Sequence, residues 1–253
     1  LFRRVARAIA AAELVWGTSD DVNEWEEKFY TIMSDLLFLP NSPTLMNAGT
    51  PEGQLSACFV LPVEDSMNSI FTTLKNAALI QQSGGGTGFN FSHLRPKDDF
   101  VTSGGGTASG PVSFMKIFDA ATEHVKQGGK RRGANMGILN INHPDIEEFI
   151  YSKREKEVLN NFNISVGITN EFMNALNNNA EYELIHPNTK VVIKKVNAKK
   201  IWNAITESAW LTGDPGLIFI DTINEKNPTP ALGKIESTNP CGEVPLLSYE
   251  PCN

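Results

Sequence analysis

The chain has 253 residues, 41% hydrophobic, 20% charged and 9% aromatic, and its 22 basic against 29 acidic residues leave a net charge of -7. That composition suits one large or two small globular domains and argues against a diffuse basic surface for nucleic acid. No apolar run approaches the roughly 20 residues of a membrane span, residues 1–14 are amphipathic and Arg-bearing rather than a signal peptide, and three cysteines are too few for a disulfide scaffold, so the chain reads as cytoplasmic.

Val5, Ile9, Ala12 and Trp16 give residues 1–16 a helical period. Asp20 or Asp21 is expected to cap a second helix running through Leu37, with acidic residues in its first turn. Residues 55–61 (LSACFVL) are a short apolar run, the pattern of a strand buried on both faces. Asp65 and Ser66 precede a helix over 69–82. A short strand follows at 89–91, then a helix over 111–126 opened by proline, where a missing N–H does no harm. A strand at 136–141, a helix at 144–153, a strand at 163–168 and a helix at 170–178 come next. Residues 182–185 and 191–195 flank a turn and predict a hairpin, 198–211 a helix ended by Gly213, and 217–220 a strand. Beyond Asp221 no helix is predicted. Pro228, Pro230, Pro240, Pro245 and Pro251 punctuate a long loop there, and such loops in compact domains are usually functional. Helices followed by five buried strands alternating with helices predict an α/β fold with a largely parallel sheet.

Glycine clusters lie at 84–88, 103–107 and 127–133. Glycine lets backbone N–H groups cradle an anion. Lys130, Arg131 and Arg132 add positive charge to the third cluster and point to a polyphosphate partner. None of the clusters has phosphate-loop spacing, and none follows a strand as a dinucleotide fingerprint requires. Cys58 alone would be an inert small hydrophobe inside a strand. Cys241 lies in NPCGE (239–243) within the long loop. In an extended tip residues i, i+2 and i+4 share one side, so Asn239, Cys241 and Glu243 are expected to face one substrate with an amide, a sulfur and a base. Zinc is disfavoured, since no second Cys or His stands at ligand spacing from Cys241, and Cys252 is too distant for a CxxC redox pair.

Together these pieces resemble the catalytic subunit of ribonucleotide reductases over nearly the whole chain. The landmarks are PNSPTLMN (40–47), SAC (56–58), Gly84, Gly86 and Gly88, the segment 127–133 and NPCGE (239–243). FNFSHLRP (89–96), SGGGTASGPVSFM (103–115), KRRGANMGIL (130–139) and PLLSYEPCN (245–253) look most like class II, the adenosylcobalamin-dependent branch. The alternatives are a class I large subunit, whose radical comes from a separate metal-containing subunit, and a non-catalytic nucleotide-binding module.

The resemblance implies a ten-stranded α/β barrel of two five-stranded halves, with a finger loop between them that carries a radical cysteine to the centre. Residues 1–48 would be an N-terminal helical segment, and 49–253 the first half-barrel with its effector loops and finger loop. The second half-barrel would be absent, so the chain by itself would not turn over. On the same basis no N-terminal regulatory cone, and hence no control of overall activity by ATP and dATP, is expected. By the same resemblance Cys241 is the thiyl radical site and Cys58 and Cys252 are the reducing pair. Asn239 holds the ribose hydroxyls, Glu243 is the base for the 3′-OH, and Thr44, Ala57 and Gly88 lie where substrate is held. Asp65, Ser66, Met67, Arg95, Lys97 and Gly104 would meet a deoxynucleoside triphosphate effector. Gln127, Lys130, Arg131 and Arg132 would form the specificity loop. The implied partners are a ribonucleotide, the effector, the missing C-terminal half, a thioredoxin-like reductant and a second copy in a homodimer. Neither nucleic acid nor membrane is expected as a partner, and the chain is expected to hold no metal.

Overall fold

A computed structural model describes residues 1–51, 53–101, 105–125, 133–155 and 157–252. Helix α1 (Phe2–Ala10) runs into a 3₁₀ turn (Ala11–Val15) and is followed by α2 (Ser19–Ser34) and α3 (Ser42–Asn47). The cap of α2 is Thr18, not Asp20 or Asp21: Thr18 and Asp21 form a reciprocal capping box. The helix stops at Ser34, short of the expected Leu37, because Leu36 takes a left-handed φ of 57°. Helix α3 was not anticipated; Asn41 Oδ1 caps it by accepting from Thr44 N at 2.9 Å. Val5, Ala6, Met33 and Ala48 form a small separate core among these helices.

The rest of the described chain comprises β1 (Cys58–Val60), α4 (Met67–Gln82), β2 (Gly86–Asn90), β3 (Phe100–Val101), β4 (Gly106–Thr107), α5 (Pro111–His124), β5 (Asn135–Asn140), α6 (Ile146–Tyr151), β6 (Phe162–Ile168), α7 (Asn170–Asn177), β7 (Glu181–Ile185), β8 (Val192–Asn197), α8 (Ala198–Thr212), β9 (Gly216–Phe219), α9 (Ile220–Glu225), β10 (Ser237–Thr238), β11 (Pro245–Leu246) and β12 (Pro251–Cys252). One six-stranded sheet runs in the order β12-β1-β2-β5-β6-β9. The five strands expected from the sequence are parallel, and β12 adds antiparallel to the free edge of β1. Contrary to expectation a short helix, α9, spans Asp221. Its Ile220 and Ile223 pack against Met136, Ile138 and Ile218, and that i, i+3 pair is the signal a loop reading passed over.

Strand alternation gives the sheet two unlike faces. Phe89 on β2 and Phe162, Ile164 and Val166 on β6 join Phe118 of α5 in the main core. Phe118 meets Phe89 and Phe91 edge-on at ring separations of 5.0 and 5.6 Å, an arrangement favoured by the ring quadrupoles. Helix α4 buries Ile70, Thr73, Ala77 and Gln81, one stripe at helical spacing. The alternate positions, Gly86, Gly88 and Asn90 on β2 and Asn163, Ser165 and Gly167 on β6, are small or polar. That second face has room for another segment, and the segment it receives is 236–246.

Candidate functional site

Strands β10 and β11 pair antiparallel, Ser237 with Leu246 and Thr238 with Pro245, and leave 239–244 as the tip. Asn239 N donates to Val244 O at 3.1 Å, Gly242 N to Asn239 O at 3.0 Å, and Val244 N to Asn239 Oδ1 at 3.0 Å. Gly242 sits at φ 86°, which a residue with a Cβ adopts only at a cost. Two side chains hold the hairpin to the sheet: Asn90 Nδ2 donates to Glu236 O and Asn163 Nδ2 to Pro240 O, both at 2.8 Å. Glycine permits the approach. A Cβ on Gly86 would stand 2.6 Å from Pro240 Cγ, and one on Gly88 would overlap Thr238 O.

Cys241 and Glu243 are consequently exposed at the tip, whereas Asn239 is 1% exposed. The expected alignment of Asn239, Cys241 and Glu243 on one side is therefore corrected: the tip is a tight turn rather than an extended segment, and the Asn239 carbonyl oxygen atoms serve the turn. Gly88 likewise faces the hairpin backbone instead of open space.

Cys58 and Cys252 are register partners across β1 and β12. Side chains directly opposite in an antiparallel pair have Cβ atoms about 4.5–5.5 Å apart, so a small approach suffices to form a disulfide. No disulfide joins them; Cys58 is buried and Cys252 half-buried. Ala57 N donates to Cys252 O at 3.1 Å, and Ala57 O accepts from Gly86 N at 2.8 Å. The Ala57 backbone is therefore engaged in the sheet. Thr44 is nearly buried, and its hydroxyl donates to Leu55 O at 3.2 Å.

Four of the residues expected to meet an effector converge. Asp65, Ser66, Met67 and Arg95 line a cleft of about 660 Å³ together with Leu94, Val101, 107–110 and Phe114. Arg95 donates to Asp65 through Nε at 2.9 Å and through its backbone N at 3.3 Å, and Asn188 Nδ2 donates to the same carboxylate at 2.6 Å. Ser66 caps α4, its Oγ accepting from Ser69 N at 3.1 Å. The positive end of a 16-residue helix therefore opens on this cleft. Lys97 is not part of the lining: its N donates to Asp145 Oδ2 at 2.8 Å and its Nζ reaches Glu148 at 3.5 Å. Gly104, Gln127, Lys130, Arg131 and Arg132 lie outside the described residues.

The sequence reading missed two features. Gln81 Nε2 donates to Thr87 Oγ1, Thr122 Oγ1 and Asn135 Oδ1 at 3.3, 3.1 and 2.9 Å, a buried hub joining α4, β2, α5 and β5. A polar residue in the buried stripe of α4 was the available signal. The second is a cleft of about 410 Å³ beyond the ends of β2 and β5, lined by Glu64, Ser92, His93, Asn140, Asn142, His143, Ile185, Pro187, Asn188 and Lys190. His143 beside it is buried; its Nε2 meets Leu94 O at 2.8 Å, and burial pushes its pKa down to about 4. Among the described residues no group of three or more His, Cys, Asp or Glu is placed to hold a metal ion, and no helix is long and apolar enough to cross a membrane.

Comparison with known proteins agrees with this architecture. Residues 56–253 match the family described as ribonucleotide reductase, barrel domain, and residues 1–53 the ribonucleotide reductase all-alpha domain. The chain is 64% identical over 238 residues to the vitamin B12-dependent ribonucleoside-diphosphate reductase of Thermoplasma acidophilum, covering 94% of this chain and 31% of that protein. A protein of the same name from Mycobacterium tuberculosis is 52% identical over 254 residues, 100% of this chain and 37% of the relative. The ribonucleoside-diphosphate reductase large chain of Neurospora crassa is 33% identical over 259 residues, 91% and 27% respectively. The chain spans about a third of the length of these curated relatives.

Proposed function

This chain belongs to the ribonucleotide reductase large-subunit family, and from that premise we propose that it carries the thiol centre of an adenosylcobalamin-dependent enzyme that reduces ribonucleotides to deoxyribonucleotides. The observation that carries the reading is the cysteine arrangement: Cys58 and Cys252 opposite one another across two strands, and Cys241 exposed on a hairpin laid over the same sheet. A thiol exposed at a turn tip suits a cofactor docked against residues 240–243. Adenosylcobalamin, when bound, supplies the radical that removes the hydrogen atom from Cys241 Sγ.

The remaining steps belong to residues of this chain. The Cys241 thiyl takes the 3′-hydrogen of the ribose. Glu243, exposed two residues on, accepts the 3′-OH proton as general base. The 2′-OH leaves as water with a proton from one thiol of the Cys58–Cys252 pair. The second thiol hydrogen and the pair's two electrons go to C2′ as the thiols close to a disulfide, and Glu243 returns its proton to the 3′-oxygen. Cys241 then returns its hydrogen to C3′. A thioredoxin-like dithiol must reopen the disulfide for the next turnover, and thiols kept reduced in this way fit a cytoplasmic setting. Asn239 is buried and its Oδ1 serves Val244 N, so in this scheme it shapes the turn that presents Cys241 and Glu243.

We further assign the Asp65–Arg95 cleft to a deoxynucleoside triphosphate, with the α4 N-terminus as the anion-facing element. Met67, Phe71 and Leu79 are 61, 45 and 55% exposed on α4 and supply an apolar face for a homodimer.

The test assembles this chain with the remaining length of its relatives, adenosylcobalamin and a dithiol. Cys241→Ser should abolish reduction, because its stronger O–H bond is not broken by the same radical. Glu243→Gln should slow it roughly 10²–10⁴-fold, the range for losing a general base. Cys58→Ser should still start hydrogen abstraction, but the unreduced sugar radical should decompose and release free base. Multiple-turnover reduction surviving in both serine variants overturns the reading.

A further inference from the structure

His93 stands between two carboxylates. Its Nδ1 lies 3.1 Å from both Oε1 and Oε2 of Glu64, and its Nε2 lies 3.1 Å from Oε1 of Glu236. An ionised carboxylate only accepts hydrogen bonds, so both ring nitrogens must donate and the ring is an imidazolium. Its pKa is raised to about 9, chiefly by the hydrogen bond to Glu236 and further by Glu64. The neighbouring charged groups are otherwise committed: Lys190 Nζ donates to Pro187 O, Asp65 is paired with Arg95, and burial keeps His143 neutral.

The three residues come from three segments. Glu64 precedes Asp65 in the loop between β1 and α4, and His93 lies two residues before Arg95 in the loop after β2. These two loops are clasped twice, by Glu64–His93 and by Asp65–Arg95. Glu236 is the residue before β10, at the root of the Cys241 hairpin. Its backbone carbonyl is held by Asn90 and its carboxylate by His93. An exposed ion pair contributes little stability by itself. What this one contributes is position. The hairpin meets the sheet through Asn90, Asn163 and close glycine contacts, and Asn224 holds the Ile235 backbone by two hydrogen bonds. Among the hydrogen bonds of the described residues, His93 alone ties the root to the loops after β1 and β2.

We propose that His93 is a positioning residue whose ring pins the root of the Cys241 hairpin to the two loops that build the Asp65–Arg95 cleft, so that the spacing of those loops sets the reach of the hairpin tip. The inference rests on the assignment of Cys241 for its catalytic meaning and on geometry alone for the pin.

Amide exchange at pH 7 tests the pin without any turnover. In His93→Gln the Asn239 and Val244 amides should exchange about three- to tenfold faster, the scale of one charge-assisted hydrogen bond discounted for exposure, with β5 and β6 unchanged. His93→Arg, which can still bridge two carboxylates, should restore the protection. Unchanged hairpin exchange in His93→Gln overturns the pin, and so does faster exchange throughout β5 and β6, which marks general destabilisation. A second arm measures reduction by the assembled enzyme. The wild-type rate should fall as pH rises through about 9, and His93→Arg should move that limb to higher pH. An alkaline limb that stays put overturns the coupling to catalysis. Absence of reduction in the wild type would sink the functional reading, while the exchange arm would still decide the pin.

Discussion

Gly88→Ala tests whether the glycines of β2 exist to admit the Cys241 hairpin. The added methyl would overlap Thr238 O and stand 3.0 Å from the Thr238 carbonyl carbon and 3.3 Å from Ser237 Oγ. Strand β2 cannot retreat, because Gly88 is paired on both sides, with Val60 and with Met136. The hairpin must move instead, by more than about 1 Å to reach ordinary contact distance. A shift of that size stretches the 2.8 Å bonds Asn90–Glu236 and Asn163–Pro240 beyond useful length. Overpacking costs about 1–3 kcal/mol and each lost hydrogen bond about 1 kcal/mol net, so the hairpin loses about 3–5 kcal/mol. The helix-covered face of the sheet is untouched. Amide exchange should therefore rise by roughly two to four orders of magnitude at Asn239 and Val244, while β5 and β6 keep their protection. Hairpin protection within about twofold of wild type would refute the close-approach argument.

Mild oxidation should join Cys58 to Cys252 and leave Cys241 alkylatable, as read by peptide mapping; a Cys241-containing disulfide as the main product would contradict the register. Asp65→Ala removes the partner of Arg95 and of Asn188, and titration should show deoxynucleoside triphosphate binding weaker by about 1–3 kcal/mol; unaltered affinity would place the nucleotide elsewhere. Stability should be highest between two histidine limits. His93, raised from 6.5 to about 9 when folded, contributes fully below pH 6.5 and loses its contribution as pH rises through about 9. His143, lowered to about 4, lets the unfolded chain take the proton first, so stability falls as pH drops from about 6.5 towards 4, by on the order of 3 kcal/mol. Denaturant melts across pH should show both limbs, with His93→Gln flattening the alkaline one and His143→Gln the acid one. Gln81→Leu removes the shared donor from Asn135, Thr87 and Thr122, which still bond one another, and should cost about 0.5–1.5 kcal/mol by urea midpoint; a neutral effect would mean that the hub contributes no net stability.

The five parallel strands and most helices were legible because local signals carry them. Apolar runs such as 55–61 and 136–141 mark strands buried on both faces, and Pro111 and Gly213 mark helix ends. NPCGE (239–243) and SAC (56–58), taken with the other landmarks, were enough for the family resemblance. The elements misread were those in which a local signal was short or ambiguous. The end of α2 depends on one left-handed residue, Leu36, and α9 is a single i, i+3 pair continuing the apolar run of β9.

The candidate site divides along the same line. Residue chemistry is local, so type and spacing singled out Cys241 and Glu243, while Cys58, Cys252, Asp65 and Arg95 were implied by the family resemblance. Position is not local. That Cys252 faces Cys58 depends on β12 adding antiparallel to β1, and that Asn239 turns inward while Cys241 and Glu243 face out depends on the hydrogen bonds closing the turn. Glu64, His93 and Glu236 lie 29 and 143 residues apart, and no periodicity spans such separations. Their meeting follows from the sheet register, which brings the loops after β1 and β2 beside the root of the hairpin. Only the tertiary structure decides that, because register is set by burying one face of every strand at once.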